Sequence, residues 1–238
     1  MAELKDGIEV RDVGLRLGAH DFRFDCRLPA GVVIAVTGAS GAGKSTFLNL
    51  LAGFDAPASG KILINGTDVT HSHPAQRPVS LVFQENNLFA HLDVFTNVGL
   101  GIDPALKLSA PDRSAISAAL ERVGLGGFER RMPATLSGGE RQRVAFARAL
   151  VRKRPVLLLD EPFAALDPAL RNEMAALLLD MHRQSGNTVV IVSHDPDEVR
   201  RIADFALFIE GGQVAVAAPI GDFTSRRNHH GLAQFLQG

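Results

Sequence analysis

The chain has 238 residues, 46% of them hydrophobic, and its 25 Lys and Arg against 26 Asp and Glu leave a formal charge of -1. Such a composition supports a substantial core and excludes intrinsic disorder, and the balanced charge excludes a global field that would draw in nucleic acid or anionic lipid. The single cysteine, Cys26, rules out an internal disulfide framework and suits a reducing cytosol. Charges at Glu3, Lys5 and Asp6 stand where a secretory signal needs an apolar stretch, and no later run approaches the ~18 apolar residues of a membrane span.

In chain order, the first thirty residues and residues 59–69, with Asn65-Gly66 as a turn pair, read as a peripheral antiparallel strand layer. Short β-branched runs at 32–36, 79–83, 156–159 and 188–192 alternate with longer helical patterns. Each run is apolar almost throughout, as expected of strands buried on both faces of a parallel α/β sheet. Directly after the first of them comes GASGAGKST, residues 38–46, followed by the helical run FLNLLA and a terminating Gly53. Strand, glycine loop and helix form the setting of a phosphate-binding loop. Gly38, Gly41 and Gly43 let the backbone curl around one anion, so that the amides of Ala39, Ser40 and Ala42 join theirs beside the positive end of the helix dipole. Lys44 supplies a point charge for the β and γ phosphates, the Ser45 hydroxyl a Mg²⁺ ligand, and Thr46 a further hydroxyl near the α phosphate.

From residue 85 to 154 the pattern turns to helix and loop, punctuated by Gly and Pro near residues 99–104 and 124–133, which predicts a helical insertion. Inside it, LSGGE at 136–140 opens a helix: Ser137 caps it and Glu140 closes a capping box. A capping box does not call for Gly138 and Gly139, each unfavourable by up to ~1 kcal/mol against alanine. Close approach of another group does, so this is a second anion-binding helix start. Asp167 and Pro168 then open an amphipathic helix running to Gly186 with Leu170, Met174, Leu177, Leu178 and Met181 on one face. Asp195, Pro196 and Glu198 form another capped helix start. The basic, histidine-rich residues 226–230 read as a solvated terminus in preference to a metal site.

LSGGERQR, with the glycine loop well upstream, resembles the signature motif of the ABC ATPases. The resemblance covers essentially the whole chain and implies the ABC ATPase fold: an α/β P-loop NTPase with a RecA-like parallel-sheet core, an N-terminal antiparallel β layer and a helical subdomain inserted at about residues 86–154 of one domain, 1–238. In that family ATP lies between residues matching 38–46 of one subunit and those matching Ser137, Gly138, Gly139 and Glu140 of another, which implies a head-to-tail dimer. Asp160 and Glu161 match the Walker B pattern, implying that Asp160 holds Mg²⁺ and that Glu161 is the general base. His194 falls on the switch histidine, Gln84 on the glutamine that senses Mg²⁺ and water, and residues 165–167 on the D-loop, although Asp167 also reads as a plain helix cap. Where the family stacks adenine on an aromatic residue, this chain has Leu15 and Leu17, with His20 and Phe22 as substitutes.

With no membrane segment of its own, the chain is similar to importer ATPases that dock on separate transmembrane permease subunits, at the cytoplasmic face of the inner membrane, and serve a solute-binding protein indirectly. The docking groove would fall at residues 86–95, around Leu88, Phe89 and Phe95. Residues 77–108 and 162–174 resemble one branch of these importers in particular. A soluble ABC ATPase acting on nucleic acid, motivated by Arg141, Arg143, Arg152, Lys153, Arg154, Arg200 and Arg201, is disfavoured by the neutral overall charge and the lack of a coiled-coil insertion. A regulator that binds nucleotide without hydrolysing it is disfavoured by Glu161, His194 and Gln84.

Overall fold

The computed structural model describes residues 6–83, 87–164, 166–226 and 228–237. β1 (Asp6–Leu17) pairs antiparallel with β2 (His20–Pro29) on one side and with β4 (Ser59–Ile64) on the other. β4 turns at Asn65-Gly66 into β5 (Thr67–Asp68), with φ of 50° and 77° at the turn residues. Two successive positive φ values are what a two-residue hairpin asks for and what Asn-Gly supplies most readily.

Five strands run parallel: β3 (Val33–Thr37), β6 (Val79–Val82), β7 (Val156–Asp160), β8 (Thr188–Val192) and β9 (Phe205–Glu210). β10 (Gln213–Pro219) returns antiparallel to β9 and meets β2 in parallel at Gln213 and Arg23. The antiparallel layer is therefore continuous with the parallel core, in the order β5-β4-β1-β2-β10-β9-β3-β8-β7-β6.

Side chains alternate across this sheet. Val33, Ala35, Leu157, Leu159, Val189 and Ile191 enter one apolar cluster, while Ile34, Val36, Val156, Leu158, Val190 and Val192 enter the other. The second cluster packs under α1 (Lys44–Ala52) and the antiparallel strands. The first is covered by α2 (Val94–Gly99), α3 (Ala110–Arg122), α4 (Gly138–Val151), α5 (Pro168–Ser185) and α6 (Pro196–Ile202). Among the described residues, the segment between β6 and β7 holds α2, α3 and α4 and no strand. α5 matches the helix expected from sequence, with Asp167 accepting from the Ala169 and Leu170 amides and Gly186 closing it at φ 63°.

Arg226, Asn228 and His230 are exposed, as expected of residues 226–230, but the chain beyond them docks on the core. Beyond α7 (Ile220–Ser225), α8 (His230–Gln237) buries Leu232 completely and sets Phe235 against Phe208, with ring centroids 6.1 Å apart. His229 lies on the Phe208 ring with its Nε2 3.7 Å from Glu210. Its apolar residues, spaced at helical intervals, made docking more favourable than solvation. Among the described residues no cluster of His, Cys, Asp and Glu is placed to hold a metal ion. Cys26 is buried, and burial followed by the Asp25 charge pushes its thiol up to about 12, which keeps it from forming the reactive thiolate.

A buried cation ties α1 to the loop that leads into β6. Arg77, 1% exposed, donates to the Leu50 and Leu51 carbonyls at the end of α1 and to the Thr70 and Ser72 carbonyls. A guanidinium suits this place, since its forked donors satisfy orphan helix-end carbonyls and its charge faces the negative end of the dipole. Any side chain at Gly53 would run into it.

Candidate functional site

Register brings the carboxyl ends of the parallel strands to one edge. Val36 and Asp160 both lie beside Val192, and Val82 lies beside Leu159. The glycine loop after β3, Asp160 and Glu161 at the end of β7, and Ser193-His194 after β8 consequently emerge together. In an open α/β sheet this is where ligands sit.

Within residues 38–46, Gly38, Gly41 and Gly43 have φ of 146°, 75° and 110°. At Gly43 the Phe22 ring stands 2.8 Å from where a Cβ would lie, so contact and backbone both demand glycine there. Gly43 is the N-cap of α1 and has no side chain to cap it, which leaves the first-turn amides for an outside acceptor. Lys44 is buried and folds back, its Nζ donating to the Gly38 and Ala39 carbonyls at 2.9 Å each. Burial lowers its pKa, against the opposing pull of Glu161 and Asp160. The ammonium thus lies inside the loop, in reach of an anion bound by the same amides.

Ser45 Oγ donates to Asp160 Oδ1 across 3.5 Å. Burial is the chief cause that raises the Asp160 carboxyl, with Ser45 and Lys44 pulling the other way and the Glu161 charge adding to it. A hydroxyl and a carboxylate oxygen so placed are hard donors that fit Mg²⁺. Such an ion would offset the crowding of Asp160 and Glu161. Glu161 has φ 43°, an uncommon backbone for a residue other than glycine, and its Oε2 lies 3.4 Å from His194 Nδ1. Strained backbone of this kind is often kept where a side chain must be aimed.

Behind His194 lies a network of which the sequence shows only the Asp195 cap. Asp195 caps α6 by accepting from the Asp197 and Glu198 amides, and its other oxygen accepts from Arg171 on α5 at 3.0 Å. Arg171 also reaches the Leu166 carbonyl at 3.4 Å, so it joins the segment before α5 to the segment carrying His194. Glu198, expected only as a capping acid, is 6% exposed, and burial followed by the Asp195 charge pushes its carboxyl up to about 7.

The second glycine pair separates into two cases. Ser137 Oγ accepts from the Glu140 amide at 3.2 Å and Glu140 Oε2 from the Ser137 amide at 2.6 Å, completing the expected capping box. Gly139 is excluded from bearing a side chain by Leu170 of α5, so its smallness serves packing within the chain. Gly138 has nothing within 4 Å of its missing Cβ and faces outward. The amides at the start of α4 have no intrahelical acceptor. No hydrogen bond or ion pair among the described residues joins Ser137–Glu140 to the loop at 38–46.

A family model described as ABC transporter matches residues 22–164. The chain belongs to the ABC transporter family. Among curated relatives of this ATP-binding cassette, the thiamine import ATP-binding protein of Rhizobium meliloti is 52% identical over 229 residues, 96% of each chain. That of Mesorhizobium japonicum is 54% identical over 219 residues, 91% of this chain and 87% of its own. Two solved structures share the fold at 28% identity. CbiO1 from Clostridium perfringens, part of an ABC transporter complex, aligns with TM-score 0.83 over 93% of this chain and 92% of its own. The dimeric ATP-binding cassette MJ0796 bound to ADP and Pi aligns with 0.77 over 90% and 98%. This chain is accordingly an ABC ATPase that binds ATP.

The remaining expected residues fall as follows. Gln84, and with it Glu85, Asn86 and the D-loop Ala165, lie outside the described residues. Phe22 is half-buried against Gly43, between the His20 and Phe24 rings, whereas Leu17 and His20 are exposed side by side at the β1–β2 turn, where a base could rest on them. Leu88 and Phe95 pack on the core, while Phe89 is 48% exposed. Asn97, unremarked in the sequence, is fully buried and fixes this stretch through the Phe89 amide and the Phe89, Leu92 and Asp93 carbonyls.

Proposed function

We propose that this ATPase works as a head-to-tail pair, each ATP held between residues 38–46 of one copy and Ser137, Gly138, Gly139 and Glu140 of the other, and that the pair drives a permease for thiamine or its phosphates. The observation that carries the catalytic part is the meeting of Lys44, Ser45, Asp160, Glu161 and His194 at one sheet edge. On this reading the loop amides take the phosphates, and Lys44 exchanges its two carbonyls for β and γ oxygens. Thr46 lies near the α phosphate. Ser45 and Asp160 hold Mg²⁺, with Gln84 sensing the same ion. An ion held there by Ser45 and Asp160 would supply neutralisation of phosphate charge.

Glu161 orients a water and accepts its proton as the oxygen attacks the γ phosphorus, and the bond to the bridging oxygen breaks to leave ADP and phosphate. His194, beside Glu161, holds that water in line and contacts the γ phosphate. The N–H groups of Gly138 and its neighbours from the partner copy close the site, so binding draws the two copies together and hydrolysis releases them.

The helical segment at about 86–154 transmits this motion to transmembrane permease subunits, with Phe89 as the exposed apolar contact. Among the described residues no helix is long and apolar enough to cross a membrane, in keeping with a peripheral place on the cytoplasmic face of the inner membrane. A solute-binding protein would act only through the permease, and no nucleic acid is expected. The solute rests on the named relatives and on the likeness of residues 77–108 and 162–174 to thiamine importers, since an ATPase subunit does not touch it. Uptake of labelled thiamine by a deletion strain tests it: uptake should vanish and return with the wild-type gene but not with Lys44→Ala. Undiminished uptake in the deletion strain would overturn the solute while leaving the ATPase standing.

A further inference from the structure

The amino ends of the parallel strands enclose a cavity of about 540 Å³. Gly31 precedes β3 there, Ser80 lies in β6, Pro155 precedes β7 and Asn187 precedes β8. It therefore opens at the sheet edge opposite Asp160 and Val192, remote from the nucleotide loop. Its volume falls in the range of small-molecule sites, ~300–1,000 Å³.

Ala149, Leu150, Leu157, Leu178 and Met181 make an apolar floor. Around it stand Arg122 at the end of α3, Lys153 and Arg154 after α4, and His182 of α5, and no Asp or Glu lines the cavity. None of the ion pairs among the described residues involves Arg122, Lys153 or Arg154. Asp112, held low chiefly by its hydrogen bonds with Ser109, also feels the Lys153 charge. Burial first and the Arg154 charge second lower the neighbouring Arg152. Ser80 is 3% exposed, and its hydroxyl has no hydrogen-bond partner among the described residues. An unmade bond of that kind is unfavourable by ~1–3 kcal/mol.

We propose that this cavity binds a small organic anion, a flat apolar body seated on Leu150, Leu178 and Met181 with a phosphate or carboxylate facing Arg122, Lys153 and Arg154. A cation rim over an apolar floor rewards a ligand that carries both parts and neither part alone. Because the walls come from α3 and α4 on one side and from β6, β7, β8 and α5 on the other, an occupant bridges the helical segment to the sheet that carries Asp160 and Glu161.

The chain lacks Trp and Tyr, so 2-naphthyl phosphate can be followed by fluorescence anisotropy without protein background. The nucleotide loop is first saturated with Mg²⁺ and a nonhydrolysable ATP analogue. The expected result is saturable binding at one probe per chain, weakened at least tenfold in Lys153→Glu/Arg154→Glu and also in Ala149→Phe, which fills the floor and keeps the cations. 2-Naphthol, without the anion, should bind at least tenfold more weakly. Affinity unchanged in both variants, equal binding of 2-naphthol, or complete displacement of the probe by the ATP analogue would each overturn the proposal.

Discussion

Replacing Glu198 by Gln isolates one buried charge behind His194. The Glu198 carboxyl ordinarily titrates at 4.5 and here is raised to about 7, by burial first and the Asp195 charge second, with Ser193, Arg171 and Arg201 opposing. One pKa unit is ~1.4 kcal/mol, so ionising this carboxyl costs the folded state up to ~3 kcal/mol. The sign follows from proton counting. Between about pH 4.5 and 7 the folded chain keeps a proton that the unfolded chain has released, so stability falls as pH rises through that window and stays low above it. Glu198→Gln is neutral throughout and lacks this slope. Urea denaturation followed by far-UV circular dichroism, at pH 5 and pH 8, should show the variant gaining ~2–3 kcal/mol on the wild type between the two. Asp68, Asp112 and Glu140, held low by their hydroxyl and backbone partners, titrate in both proteins and cancel in the difference. A gap that stays constant from pH 5 to 8, or moves the other way, would refute the reasoning.

Other perturbations test other parts. Lys44→Ala and Glu161→Gln should each lower ATP turnover at least ~100-fold, and Glu161→Gln should keep ATP affinity and elute as a dimer with ATP in gel filtration. A persistent monomer would count against the paired site. Arg77→Met leaves three buried carbonyls and the half-buried Ser72 carbonyl without their donor and should destabilise the chain by ~3–5 kcal/mol, read as a shifted urea midpoint; a loss below ~1 kcal/mol would show the clamp to be dispensable. Gly139→Ala should be unfavourable by ~1–3 kcal/mol from overpacking on Leu170. That added loss should disappear in a Leu170→Ala background, as a double-mutant cycle would show.

What could be read in advance was what depends on neighbours along the chain. Four of the five parallel strands announced themselves because both faces are buried, while β9, just as buried, was not among the runs read; the glycine loop, the Ser137–Glu140 box and the Asp167 cap are each complete within a few residues. What escaped depends on distant partners. β10 joins the antiparallel layer to the core through one register pair with β2, which no local pattern encodes. Arg77 finds its acceptors on main-chain carbonyls of other segments, and nothing in its own neighbourhood marks it as buried. Arg171 sits one turn after the Asp167 cap and reads as an ordinary surface residue until α6 brings Asp195 to it. Gly139 reads as clearing space for a phosphate, and Leu170, thirty-one residues on, also stands where its side chain would lie. A tertiary packing demand and a ligand demand leave the same letter in the sequence.

Mixing two inactive variants tests the shared site most directly. Lys44→Ala has a damaged glycine loop and an intact Ser137 segment, while Ser137→Arg has the reverse. In a head-to-tail pair of the two, one site is damaged in both halves and the other is whole. Each variant alone should be inactive, and an equal mixture should regain ATP turnover up to about a quarter of wild type, since half of the pairs are mixed and each carries one whole site. Turnover by Ser137→Arg alone at the wild-type rate, or none at any mixing ratio, would contradict a site built from two copies.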